Sequence, residues 1–118
     1  MPTPFQNKFT FEHRKREADK ILKKHPDRIP TIVELEPKST LEPLDKQKFL
    51  VPPDLTVGEF LKGVIRKRVK VGDSEALFLF ISDKVLAPVS RTMGSIYSEY
   101  KNHDNFLYIT VNTESTFG

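Results

Sequence analysis

Three histidines, one serine two positions after a glycine, one basic run and one proline-closed strand are the places where this sequence could do chemistry. His13, His25 and His103 stand in no recognisable nucleophile–base spacing, and no two lie at the i, i+4 interval that pairs ligands on one helix face. The stretch GDSEA (residues 72–76) begins like a G-x-S-x-G nucleophile elbow. It lacks the second glycine, and it precedes a strand, whereas an elbow follows a strand and opens a helix. Ser74 therefore reads as a turn serine. No glycine-rich phosphate loop occurs. The chain has no cysteine, which excludes disulfides and thiolate metal sites. These patterns argue against an enzyme, a bound cofactor and a metal centre.

Charge is more informative. The net charge is only +3, but residues 1–24 carry seven Lys/Arg against three acids, and KGVIRKRVK (62–70) carries five with no acid. Two basic clusters point to an anionic partner: nucleic acid, a membrane surface or an acidic peptide. A solvated helix face explains the same pattern, and the sequence leaves both readings open. For nucleic acid, IRKR would grip phosphates and aromatic rings would stack on bases. Most aromatics, however, fall at periodic core positions, so no nucleic-acid partner is expected.

Those groups need positions. The 118 residues suffice for about one domain. No apolar run approaches the ~20 residues of a membrane span, and the N-terminus lacks a signal-peptide apolar region. A soluble cytosolic protein is expected. Thr10 caps a helix whose narrow stripe is Phe11, Ala18, Ile21 and Leu22, with Pro26 as the stop. A short helix within residues 3–9 is a weaker signal. RIPTIVEL and KFLVP read as an antiparallel pair of strands. TVGEFLKGVIRKR opens with a capping box, Thr56 and Glu59, and continues as an amphipathic helix through Phe60, Leu61, Val64 and Ile65. ALFLFIS, a helix within SRTMGSIYSEYK, and FLYITV complete the order. The last two strands are nearly continuous apolar runs, so the middle of the sheet should be covered on both faces. The two later helices cover one face and the N-terminal helix the other. The expected fold is α+β, a four-stranded mixed sheet in a ubiquitin-like roll.

KFLVP is short and closed by Pro52 and Pro53, as an edge strand would be. Such an edge can take an extended peptide by main-chain hydrogen bonding, with a pocket on each side for alternate side chains. Leu50 would meet Ile32, Pro30 and Ile21 on one side; Phe49 and Val51 would meet Phe60 on the other. Lys46, Lys48, Arg28 and Arg68 would rim the pockets, suiting a peptide with two apolar anchors and acidic neighbours. Pattern alone leaves this reading level with the alternative that these residues complete the core.

Five blocks carry a resemblance in a fixed order: KKHPDRIPTIVEL, LDKQKFLVPPDLTVGEF, VIRKR, TMGSIYSEYK and FLYITVNTESTFG. From about Phe11 to Gly118 the sequence resembles the autophagy ubiquitin-like modifiers, the family of GABA-receptor-associated protein and microtubule-associated light chain three. The resemblance implies a β-grasp roll with two additional N-terminal helices. It implies an extension at 1–26, a ubiquitin-like core at 27–112 and a conjugation tail at 113–118. Gly118 would be joined to phosphatidylethanolamine, with Phe117 and Gly118 read by a processing protease and the glycine passed on by activating and conjugating enzymes. Lacking a Cβ, Gly118 leaves its carboxylate open to attack. The chain itself would contribute no catalytic residue.

The resemblance also implies recognition of aromatic-x-x-aliphatic motifs in cargo receptors. The aromatic pocket would comprise Glu17, Ile21, Pro30, Ile32, Lys48, Leu50 and Phe106. The aliphatic pocket would comprise Phe49, Val51, Pro52, Leu55, Phe60 and Val64, with Arg28, Lys46 and Arg68 on acidic flanks. The sequence departs from the family at four places. One extra residue lies between Phe60 and Arg66, Lys84 is added in SDKVLAP, MPTPFQNKFT is an unusual start, and Phe49 stands where tyrosine is common. Cytoplasmic and autophagosomal-membrane locations would follow. A non-conjugated adaptor for peptides or tubulin and a nucleic-acid module built on IRKR are the competing functions.

Overall fold

The computed structural model describes residues 2–39, 41–72, 75–82 and 84–114. The elements run α1 Pro4–Lys8, α2 Phe11–Lys24, β1 Ile29–Leu35, β2 Lys48–Val51, α3 Val57–Phe60, β3 Phe78–Ile81, β4 Val85–Leu86, α4 Met93–Tyr100 and β5 Leu107–Asn112. A π-helical turn, Leu61–Ile65, continues α3. The strands form one sheet in the order β2-β1-β5-β3-β4. Only the central pair β1–β5 is parallel. The sheet thus has five strands, one more than the sequence pattern suggests. The addition, β4, has two residues, both exposed, too short and too wet to leave a hydrophobic pattern.

The central strands are buried on both faces, as their continuous apolar runs require. On one face Val33, Leu107 and Ile109 pack with Phe60, Ile65, Met93 and Ile96 from α3, its π turn and α4. On the other, Ile32, Phe106 and Tyr108 pack with Phe5 and Ala18 from α1 and α2. Phe5 meets Phe106 edge-on, with ring centroids 5.6 Å apart.

The N-terminal helices dock differently from the stripe read in the sequence. Phe11 is exposed, and Arg14 is buried on α2 instead. Arg14 Nε donates to Asp104 Oδ2 at 2.9 Å, and its Nη1 donates to the carbonyls of Gln6 and Phe9 at the end of α1. Asp104 also accepts from the Tyr108 hydroxyl at 2.5 Å and the Phe106 amide at 2.9 Å. This buried network ties both N-terminal helices to the start of β5. Glu34 adds a second tie, accepting from the Phe5 amide at 2.9 Å. α1 has its own capping box, Thr3 and Gln6, with Pro4 in its first turn.

Thr56 and Glu59 form the expected capping box at α3. The helix then widens. Arg66 N–H donates to Leu61 O at 2.9 Å, an i→i+5 bond. In a regular α-helix, residues five apart point roughly 140° away from each other. The wider turn lets Phe60 and Ile65 both reach the core, at 1% and 0% exposure. The extra residue expected between Phe60 and Arg66 falls within this turn. α4 begins against the segment after β2: Met93 N–H donates to Leu55 O and Gly94 N–H to Pro53 O.

Candidate functional site

β2 ends the sheet, so one side of its backbone has no neighbouring strand among the described residues. Its register sets Ile29 opposite Val51, Pro30 opposite Leu50, Thr31 opposite Phe49 and Ile32 opposite Lys48. Burial alternates along it: Lys48 and Leu50 are exposed, Phe49 and Val51 buried. The edge therefore offers Lys48 and Leu50 toward α2 and rests on Phe49 and Val51 toward α3.

On the α2 side, Leu50 is 40% exposed and Ile21 is half-buried. Glu17 reaches across from α2 and forms an ion pair with Lys48 on the edge strand. The other Glu17 oxygen lies 3.6 Å from His13 Nε2, and His13 stacks on Phe9 at 4.9 Å. Pro30 is buried beneath the edge. Ile32 and Phe106 have no exposed surface at all, because Phe5 of α1 completes their cluster. They form the floor beneath this side of the edge, not a surface a ligand can touch in this conformation.

On the α3 side, Phe49 meets Phe60 edge-on at 5.9 Å. Phe49, Val51 and Phe60 are core residues, whereas Pro52, Leu55 and Val64 are half-buried and form the accessible lip. Lys46 Nζ and the Arg68 guanidinium both lie over the Phe49 ring, at 5.0 and 5.5 Å. Arg68 also makes a two-oxygen contact with Asp45, 3.2 Å to each.

The three flank cations do not form one cluster. Lys46 and Arg68 meet near the beginning of β2. Arg28 precedes Ile29, whose partner Val51 is the last residue of β2. Arg28 pairs there with Asp27 at 3.3 Å. A four-residue strand separates the two ends by roughly 10 Å. Phe117 and Gly118, like Ser74, lie outside the described residues.

The sequence pattern does not single out Phe5 or Asp45. The Thr3–Gln6 capping box was the available signal for a helix carrying Phe5. The pairing of Asp45 with Arg68 spans 23 positions and leaves no local trace.

Electrostatics around the site are mild. Glu59 is held below the usual carboxylate range, first by the Thr56 amide and then by its hydroxyl. Burial pushes the Glu34 carboxyl up, partly offset by the Phe5 amide. Burial, then the bond to Asp104, pushes the Tyr108 hydroxyl up. These groups cap a helix or hold α1 and α2 on the sheet. Among the described residues, no group of three or more His, Cys, Asp or Glu side chains could hold a metal ion, and no helix is long and apolar enough to cross a membrane.

A β-grasp sheet roofed by helices on both faces, with one edge strand left open, defines a ubiquitin-like protein. More narrowly, the chain belongs to the ATG8 family, described as "Autophagy protein Atg8 ubiquitin like", whose model matches residues 13–118. Autophagy-related protein 8 of Schizosaccharomyces pombe is 50% identical over 118 residues, covering 100% of this chain and 96% of that protein. Autophagy-related protein 8 of Neosartorya fischeri is also 50% identical, with 98% of it covered. The crystal structure of Trypanosoma brucei ATG8 superposes with a TM-score of 0.89 at 44% identity, covering 100% of both chains. The chain is thus a ubiquitin-like protein of the autophagy system.

Proposed function

We propose that this protein is a ubiquitin-like modifier, conjugated through Gly118 to phosphatidylethanolamine and recruiting partners with an aromatic-x-x-aliphatic motif on β2. The observation that carries the recruiting half is the open edge strand, with Lys48 and Leu50 exposed between two helical roofs. An extended peptide would pair with the β2 backbone. Its aromatic side chain would rest on Leu50 and Ile21, and its aliphatic one on Leu55, Pro52 and Val64. The Glu17–Lys48 pair straddles the first position, so Lys48 is placed to exchange Glu17 for a peptide carboxylate.

The conjugation half rests on family membership. Residues 113–118 would serve as the tail that carries Gly118 into the processing protease and the activating and conjugating enzymes. The lipid's two acyl chains would supply stable anchoring, which a single chain does not. The protein would then move between the cytoplasm and autophagosomal membranes, where cargo receptors dock. In this scheme it is the substrate of the enzymes and not itself one.

Reconstitution tests this reading. With the family's activating and conjugating enzymes, ATP and phosphatidylethanolamine liposomes, the wild-type chain should yield a lipidated species that Gly118→Ala does not. No such species, where an established family member is conjugated, refutes it. A non-conjugated adaptor for peptides or tubulin is the second reading, favoured by the fact that the β2 edge is complete without Gly118. It predicts that deleting Gly118 leaves localisation in cells unchanged. A nucleic-acid module fares worse: Phe5, Phe49, Phe60, Phe80, Phe106 and Tyr108 are all buried and cannot stack on bases.

A further inference from the structure

His13, Glu17 and Ile21 follow at intervals of four along α2, so they share one stripe of the helix. That stripe faces the exposed side of β2, because Glu17 pairs with Lys48. Glu17 thus lies one turn from Ile21, where the proposed aromatic anchor rests, and His13 lies one turn beyond. The two Glu17 oxygens are not equivalent. Oε1 binds Lys48, whereas Oε2 has no hydrogen bond among the described residues. It faces His13 Nε2 at 3.6 Å, too far for a hydrogen bond.

The imidazole is held in place for that oxygen. It stacks on Phe9 with ring centroids 4.9 Å apart and planes 14° from parallel. The His13 side chain is 49% exposed, so protons reach it from solvent, while Glu17 is 26% exposed, so water screens the pair only in part. Other charged groups stand around them. Lys8 of α1 lies over the Phe9 ring at 5.5 Å. Arg16 and Lys20 line a hollow of about 300 Å³ on α2 together with His13 and Glu17. Lys48 stands across on β2. Among the described residues, Lys8, Arg16 and Lys20 form no ion pair with Glu17. Of these groups only an imidazole ordinarily changes charge between about pH 5 and 8.

We propose that His13 is a proton-linked positioning residue of the aromatic side of the edge, acting through Glu17. Neutral, it leaves Glu17 Oε2 free to accept a hydrogen bond from an indole N–H of the docked anchor. Protonated, it pairs with that oxygen and takes the acceptor away. Tryptophan carries such a donor and phenylalanine does not, so the preference for a tryptophan anchor falls as pH falls. Conversely, a tryptophan-anchored partner expels the proton from His13 when it binds. The inference rests on the reading of β2 as a peptide-binding edge.

Two synthetic peptides test it by calorimetry on the full chain. They share one aromatic-x-x-aliphatic core with uncharged flanks and differ only in a tryptophan or a phenylalanine anchor. The ratio of their affinities should be about two- to fivefold larger at about pH 7.5 than at about pH 5.5, the range of an exposed ion pair. Measured near pH 6.5 in buffers of different ionisation enthalpy, the tryptophan peptide should release more protons on binding than the phenylalanine peptide. His13→Phe keeps the stack on Phe9 without a charge, and should hold the ratio high at both pH values and remove the extra proton release. His13→Lys carries a charge at both, and should hold the ratio low. A ratio in the wild type that ignores pH, or a pH dependence that survives in His13→Phe, overturns the proposal. Failure of both peptides to bind at either pH instead sinks the reading of β2 as a peptide edge, and the role of His13 with it.

Discussion

Leu50→Ala separates a binding residue from a core residue more sharply than any other change at the edge. Leu50 is 40% exposed in the free chain, so folding has already buried somewhat more than half of it. Complete burial of a leucine side chain is worth roughly 1.5–3 kcal/mol, and truncation to alanine retains only the first carbon. Folding should therefore lose about 1 kcal/mol, which a domain stable by roughly 5–15 kcal/mol survives. A docked aromatic side chain would bury the remaining surface and would face a gap once the leucine is gone. Together these should weaken peptide binding by about 1–2 kcal/mol, or about five- to thirtyfold. Urea unfolding and titration calorimetry on the same preparation measure both quantities. Unchanged peptide affinity in a folded Leu50→Ala protein would refute the placement of the pocket. A collapse of stability would instead show that Leu50 is core. Ile32→Ala is the contrast: with 0% exposure it should cost about 2–5 kcal/mol of stability.

Three further outcomes follow from the packing. Asp104→Ala strands Arg14 and the Tyr108 hydroxyl, and should cost about 3–5 kcal/mol in urea unfolding, with faster amide exchange in α1. Glu34 has a folded-state pKa raised above its ordinary 4.5 by burial, so its favourable contribution is fully present below 4.5 and is lost as pH rises through the raised value. Glu34→Gln should remove that decline, gaining on the wild type as pH rises through this window in thermal melts. Gly94→Ala sets a Cβ 2.9 Å from Pro53 O and should cost about 1–3 kcal/mol, because the neighbouring atom is backbone.

Much of the framework was legible one turn at a time. Thr10, Thr56 and Glu59 sit at helix starts because capping depends on residues three positions apart. The alternation in KFLV set Lys48 and Leu50 on one side and Phe49 and Val51 on the other, and burial divides the strand in the same way, with the second pair buried. The continuous apolar run of FLYITV correctly implied a strand roofed on both sides. These readings need only near neighbours and the period of the backbone.

Other features depend on where distant segments cross, and no local pattern encodes that. Arg14 replaced Phe11 in the interior of the N-terminal roof because Asp104, 90 positions away, gives its charge a buried partner. The aromatic-side residues Ile32 and Phe106 became an inaccessible floor because Phe5 folds over them. Arg28 was separated from Lys46 and Arg68 because the antiparallel register sends β1 and β2 in opposite directions. The run LKGVI reads as ordinary amphipathic helix. It widened into a π turn because Phe60 and Ile65 must both reach one core. By itself, then, the sequence determined most of the elements, the alternation along the edge strand and the family resemblance. The tertiary structure decided which charges are paired and which apolar side chains remain for a partner, since both depend on contacts between residues far apart in the chain.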